Sequence, residues 1–180
     1  HLALRHPRRS IMVELHWRTD LFFPVEAMAS EAWWQGLERT ALLDSTVRAF
    51  PARELLLVLC LHGSKHHWSS MGWLVDVAEL IRLHPDLDWP WVMGQARELA
   101  CRRRLALGLH LAHRLLDAPL PRAVQDELAG TPQLEALANV LVPVLTGTQP
   151  ESRGVLRRLT LDLKLYDLAR QRVRHLFNTV

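Results

Sequence analysis

Two hydrophobic periods divide this chain. Near its start Ile11, Val13, Leu15 and Trp17 alternate with Met12, Glu14 and His16. A period of two predicts a β-strand over Ser10–Trp17, with Met12, Glu14 and His16 on the face opposite Val13 and Leu15. After Asp20 and Pro24 the spacing lengthens to three and four, the signature of helices with one buried stripe. It predicts a short helix over Ala27–Leu37, anchored by Trp33 and Trp34, and one that starts at Pro51 and runs through Leu55, Leu56, Leu59, Cys60 and His62. Gly63 ends or bends that helix. Further helices are expected over Met71–Leu83, from Trp89 to about Arg102, over Leu105–Leu116, and, from weaker patterns, over Pro121–Leu128 and Gln133–Leu145. His84-Pro85 stops the first of these, Asp88 caps the next, and Pro119 and Pro121 delimit the one after. A loop of turn formers over Gly147–Gly154 leads to a long Arg-rich amphipathic helix over Val155–Phe177.

The expected fold is therefore mainly α, a multi-helix domain with a short β-element at the N-terminus. Its 180 residues suffice for one domain with a core, and 49% hydrophobic against 23% charged residues is a globular balance. No apolar stretch free of charges reaches membrane-spanning length, so no membrane partner is expected. The pI near 9.4 overstates the basicity of a chain whose net charge is only +3, which leaves nucleic acid an unfavoured partner. Cys60 and Cys101 both sit in apolar helical patterns, far apart in sequence. That argues against a disulfide scaffold and for a reducing, cytoplasmic setting.

The chemistry concentrates in two polar islands. One is Glu14-Leu15-His16-Trp17. The other is Leu61-His62-Gly63-Ser64-Lys65-His66-His67-Trp68, followed by Trp73-Leu74-Val75-Asp76. Lys65 is one of only two lysines in a chain that otherwise uses arginine. A compact ammonium on a flexible stem suits contact with a phosphate oxygen, and Gly63 would let a ligand approach the backbone. The plainer alternative is a surface lysine just past a helix end. His62 and His66, four apart, share a helical face, and with Asp76 they would form a set that zinc accepts; a hydrogen-bonded core histidine is the more ordinary fate of His62. Asp76 has apolar neighbours at helical spacing, which points it toward the core with His62 or Lys65 as partner. Capping explains Asp86-Leu87-Asp88 better than metal binding does. The Arg102-Arg103-Arg104 cluster reads as solvated surface or as contacts to a missing part.

In this order the motifs Glu-Leu-His-Trp on a strand, Leu-His-Gly-Ser-Lys-His-His-Trp, Trp-Leu-Val-Asp-Val-Ala and Leu-Asp-Trp-Pro-Trp-Val resemble the uncharacterised bacterial nucleotidyltransferase family of the DNA polymerase β superfamily. The likeness is good over residues 10–120 and looser to Phe177. It implies an enzyme whose small αβ core carries Gly-Ser and an Asp-x-Asp pair, with a later strand adding a third carboxylate. Such an enzyme transfers a nucleoside monophosphate from an NTP with Mg²⁺. By the resemblance Glu14 is that third, metal-binding carboxylate. Lys65, His62, His66 and Ser64 face the nucleotide, and Asp76 and His16 support them. Residues 1–24 would close the αβ core and residues 25–180 form the helical domain. No Gly-Ser with a following Asp-x-Asp precedes Glu14. The expectation is thus a chain truncated at its N-terminus, the C-terminal part of a nucleotidyltransferase, inactive as this fragment, whose partners are an NTP, an unknown acceptor and the missing half of its own protein. Two competing readings are a non-catalytic helical binding or regulatory module and a His/Asp metal-dependent hydrolase.

Overall fold

The computed structural model describes residues 2–15, 31–148 and 163–167, with the backbone alone at Glu14, Leu15, Glu31 and Ala32. It is mainly α with minor β, as the two periods predict. The first strands are β1 (Leu2–Arg5) and β2 (Met12–Leu15), antiparallel, with Leu2 opposite Leu15 and Ala3 opposite Glu14. The alternating segment therefore forms a strand, and the chain itself supplies it with one partner that the pattern did not announce.

After the short helix α1 (Glu31–Gln35) comes a second antiparallel hairpin, β3 (Glu38–Leu42) with β4 (Ser45–Ala49). Nothing in the hydrophobic pattern predicts it. Its strands are exposed almost throughout, so no alternation marks a buried face. Its turn lacks the usual glycine, and Leu43 takes the left-handed conformation instead, at φ 52°. Trp33 and Trp34 meet the ring of Phe50, and the Arg48 guanidinium donates to Trp34 O at 2.6 Å, so α1 is held to this hairpin. The rest of the helix expected over Ala27–Leu37 lies outside the described residues.

The helical body is α2 (Ala52–Lys65), α3 (Met71–Leu83), α4 (Trp89–Glu98), α5 (Arg102–Leu116), α6 (Arg122–Ala129) and α7 (Pro132–Leu145). α5 is its centre and packs on α2, α3, α4 and α7. It can do so because it is buried on nearly every side, from Arg104 through Leu105, Leu107, Gly108 and Leu109 to Ala112. α6 and α7 meet at 89°. Ser70 caps α3 through a bond from Gly72 N–H, and Asp88 caps α4 through a bond from Trp91 N–H at 3.0 Å, as its sequence position predicts. Among the described residues no single helix is long and apolar enough to cross a membrane.

Three expected boundaries are corrected. α2 passes through Gly63 unbroken and ends at Lys65. α4 stops at Glu98 instead of reaching Arg102, and the three arginines open α5. Both helices end in the same way. Trp68 N–H bonds back to Gly63 O at 2.8 Å and His67 N–H to Ser64 O, while Cys101 N–H bonds to Ala96 O and Ala100 N–H to Arg97 O. This is the Schellman arrangement, in which the residue after the C-cap is left-handed. That residue is ordinarily glycine; here it is His67 at φ 53° and Ala100 at φ 50°. A stop signal read from glycine misses both.

The long helix expected over Val155–Phe177 falls mostly outside the described residues. Leu163–Leu165 are helical, but Tyr166 and Asp167 are not, so that helix is not continuous. The break has a cause. Cys101 offers no side-chain cap to α5, and Asp167 Oδ1 accepts from Arg103 N–H at 3.2 Å in its place. Tyr166 is buried under the Arg104 guanidinium, 4.7 Å from its ring centre. Of the arginine cluster Arg104 is buried, while Arg102 and Arg103 keep much of their side chains at the surface and make ion pairs there. Arg102 joins Arg97 on the carboxylate of Glu127, at 2.9 and 3.0 Å, tying α4 and α5 to α6.

Candidate functional site

The second polar island folds as the end of α2, the Schellman turn and the start of α3. The helical period sorts its residues into two sets. Gly63, Ser64 and Trp68 face inward and are buried; Lys65 is exposed; His62, His66 and Trp73 are half-buried at the surface. The turn throws Trp68 back over the last turn of α2, where its indole is wholly buried. A methyl group at Gly63 would lie 2.6 Å from two carbons of that indole. One at Gly108 of α5 would lie 2.9 Å from the indole and 2.7 Å from Cys60 Sγ. Both glycines thus make room for one tryptophan. The expectation that Gly63 brings a ligand to the backbone is corrected: what approaches it is Trp68.

Ser64 is 1% exposed, and its Oγ has no hydrogen-bond partner among the described residues. It is therefore closed off from a nucleotide and leaves the exposed set. The indole Nε1 of Trp68 is likewise buried without a partner among those residues. Asp76 is also corrected. The buried face of α3 is made by Leu74, Val77, Ala78 and Ile81, with Leu80 at its edge, and Asp76 lies off that face. It is exposed, not core-facing, and is no buried partner for His62 or Lys65.

At the surface three rings gather. His62 and His66 have centroids 4.7 Å apart, His66 lies 4.9 Å from Trp73 at 33°, and His62 meets Trp73 edge-on at 5.4 Å. The i, i+4 spacing on α2 brings the imidazoles together, and the turn into α3 adds the indole. Sequence spacing alone pairs the histidines; Trp73 joins them only because the turn is tight.

Glu14 holds a β2 position opposite Ala3, next to the Leu4–Val13 pair. His16 lies outside the described residues. No three His, Cys, Asp or Glu side chains converge to hold a metal among the described residues, so the His62–His66–Asp76 zinc set is not assembled. Nor does one strand carboxylate make a Mg²⁺ site, which needs further carboxylates and phosphates around it.

A cleft of about 480 Å³ lies at the opposite end of α2, between Glu38, Arg53, Glu54, His84, Asp86 and Asp88. Its carboxylates outnumber its cations, and Arg53 is already engaged by Glu54 at 3.1 Å and stacked 4.4 Å over Trp91. Such a lining repels a triphosphate. Both cysteines are free and buried, and burial pushes the Cys101 thiol up to about 12 and Cys60 higher still, so neither is a nucleophile.

The sequence model of the uncharacterised nucleotidyltransferase family matches residues 1–117, which span both hairpins, α1 to α5 and the whole of the ring cluster. The chain belongs to that family. No curated protein and no solved structure matches it.

Proposed function

We propose that this member of the nucleotidyltransferase family is the helical, C-terminal part of a Mg²⁺-dependent enzyme that moves a nucleoside monophosphate from an NTP to an acceptor. The observation that carries the reading is the family match across residues 1–117. In it Glu14 on β2 is one ligand of the metal, and the Asp-x-Asp pair that completes the metal site precedes His1 in the native protein. Bound there, Mg²⁺ would neutralise charge on the phosphates. Lys65, exposed at the end of α2, contacts the triphosphate as a point charge, with His62 and His66 beside it. His16 supports the site; Asp76, exposed on α3, does not orient the α2 residues. The free thiols fit a cytoplasmic protein.

The test is made in the full-length protein. Glu14→Ala is expected to abolish nucleotide transfer while the melting temperature stays within a few degrees, and Lys65→Ala to raise KM for the NTP more than it lowers kcat. Undiminished transfer by Glu14→Ala, or a native coding sequence without Gly-Ser and Asp-x-Asp upstream of His1, would overturn the assignment. A non-catalytic helical module would then remain, with the island as scaffolding.

A further inference from the structure

We infer that Arg39 and Arg48, opposed across the β3–β4 hairpin, form a clamp for a phosphate group carried by a ligand of this protein. The inference goes beyond nucleotide transfer and concerns residues to which that reading gives no part. The two arginines are register partners in the antiparallel ladder. Directly opposed residues share one face of the sheet, with Cβ atoms about 5 Å apart. Both side chains are exposed, and among the described residues no carboxylate pairs with either. Two like charges on one rung cost stability. An oxyanion held between them turns that repulsion into attraction.

The ladder sorts the other groups of the hairpin. Ala41 and its partner Thr46 follow the arginines on the same face, whereas Glu38, opposite Ala49, lies on the other. Asp44 sits in the turn, outside both strands. The arginine face of the ladder therefore holds two cations, a hydroxyl and no acid. Thr46 stands two residues before Arg48 on β4, about 7 Å along the strand. Arg48 is steadied by its bond to Trp34 O at 2.6 Å, which leaves its other N–H donors for a ligand. Those donors, the Arg39 fork and the Thr46 hydroxyl can meet the oxygens of a phosphate, whose geometry matches guanidinium forks. A carboxylate offers two oxygens in one plane, so the tetrahedral anion is the better match to donors on two strands.

The test is an NMR titration of the arginine Nε–H signals with inorganic phosphate and with ATP, at constant ionic strength set by chloride. The Arg39 and Arg48 signals should shift together and saturate. Arg39→Gln should weaken phosphate binding about tenfold, as expected for the loss of a hydrogen bond to a charged group. Arg39→Lys should recover only part of it, because lysine lacks the fork. Amide exchange of the β3–β4 ladder gives a second readout: phosphate should slow it in the parent and leave it unchanged in Arg39→Gln. Phosphate that binds at least as tightly as ATP assigns the clamp to phosphorylated ligands at large; tighter binding of ATP assigns it to a nucleotide. Shifts that chloride reproduces, that do not saturate or that spare either arginine overturn the clamp, as does undiminished binding by Arg39→Gln. Failure of the transfer reading would leave the clamp standing, since Glu14 has no part in it.

Discussion

The helical body and the β1–β2 hairpin use similar apolar residues to opposite ends. In α2, α3 and α5 Leu56, Leu57, Leu74, Leu105, Leu107 and Leu109 are wholly buried. In the hairpin Leu2, Leu4 and Val13 are each about half exposed. Each fully buried leucine contributes about 2 kcal/mol, so the body has its own reason to fold. Among the described residues the one extensive pairing of the hairpin is its own ladder, and two strands alone are marginal in water. The difference bears on function. Lys65, His66 and Trp73 stand on elements that packing fixes, whereas the proposed metal carboxylate stands on one that little in the described structure fixes. A site shared between them is incomplete until something covers the hairpin.

The largest effects should follow from disturbing the body at Trp68. Trp68→Ala empties a fully buried site and is expected to cost about 3–5 kcal/mol in denaturant unfolding. Gly108→Ala forces a methyl group against both the indole and Cys60 Sγ, for about 1–3 kcal/mol. The two costs should not add. With the indole gone part of the clash disappears, so the double variant should be more stable than the sum predicts. Strict additivity would mean that the glycine does not serve the tryptophan.

A smaller effect is expected where the C-terminal segment meets the body. Asp167→Ala removes the carboxylate that accepts from Arg103 N–H and should cost about 1 kcal/mol, the usual value of a helix cap. Asp167→Asn should recover most of it, because an amide oxygen caps as well. If both variants match the parent, the segment is not docked as described.

How far the sequence discloses these regions follows from what each signal depends on. Met71–Leu83 is legible to the residue because a stripe of leucine, valine and isoleucine and the stop at His84-Pro85 agree. The ends of α2 and α4 are not, since His67 and Ala100 occupy positions where glycine would have announced a stop. The β3–β4 hairpin is silent because strands exposed on both faces need no alternation. In the site, the His62–His66 pairing is legible from i, i+4 spacing. The burial of Ser64 and the exposure of Asp76 are not, because each depends on which side of its helix meets α5. Trp73 and Leu80, at i−3 and i+4, share a side with Asp76, but they stand at the edge of the buried face and do not carry the carboxylate inward.

Within the body, His110 gives stability a pH dependence. Burial lowers its pKa below 6.5, and Glu135, at 3.2 Å, offsets this only in part. The neutral form is therefore the one the fold favours. This contribution is fully present above the unfolded value of about 6.5 and is lost as pH falls through the lower folded value. Urea unfolding at pH 7 and pH 5 should show a smaller drop for His110→Gln than for the parent. An equal drop would assign the acid sensitivity to other groups.

The smallest effect is the one that tests the comparison most directly. Leu4 and Val13 face each other across the β1–β2 ladder, both half exposed. Leu4→Lys should change the unfolding free energy of this chain by no more than about 0.5 kcal/mol, as for ordinary surface positions. The amides of β1 and β2 should exchange with solvent long before those of α5, since a two-stranded ladder opens locally without disturbing the core. On the proposed reading, the same substitution in a protein that includes the Asp-x-Asp segment should behave differently. If the segment that carries the Asp-x-Asp pair covers this face, a lysine there is forced into a buried contact and should cost about 1–3 kcal/mol. It should also slow nucleotide transfer, because Glu14 is the next residue after Val13 on the same strand. A substitution that is neutral in both proteins would leave the hairpin uncovered in each. Glu14 would then have no fixed position from which to bind a metal, and the proposed site would lose its third carboxylate.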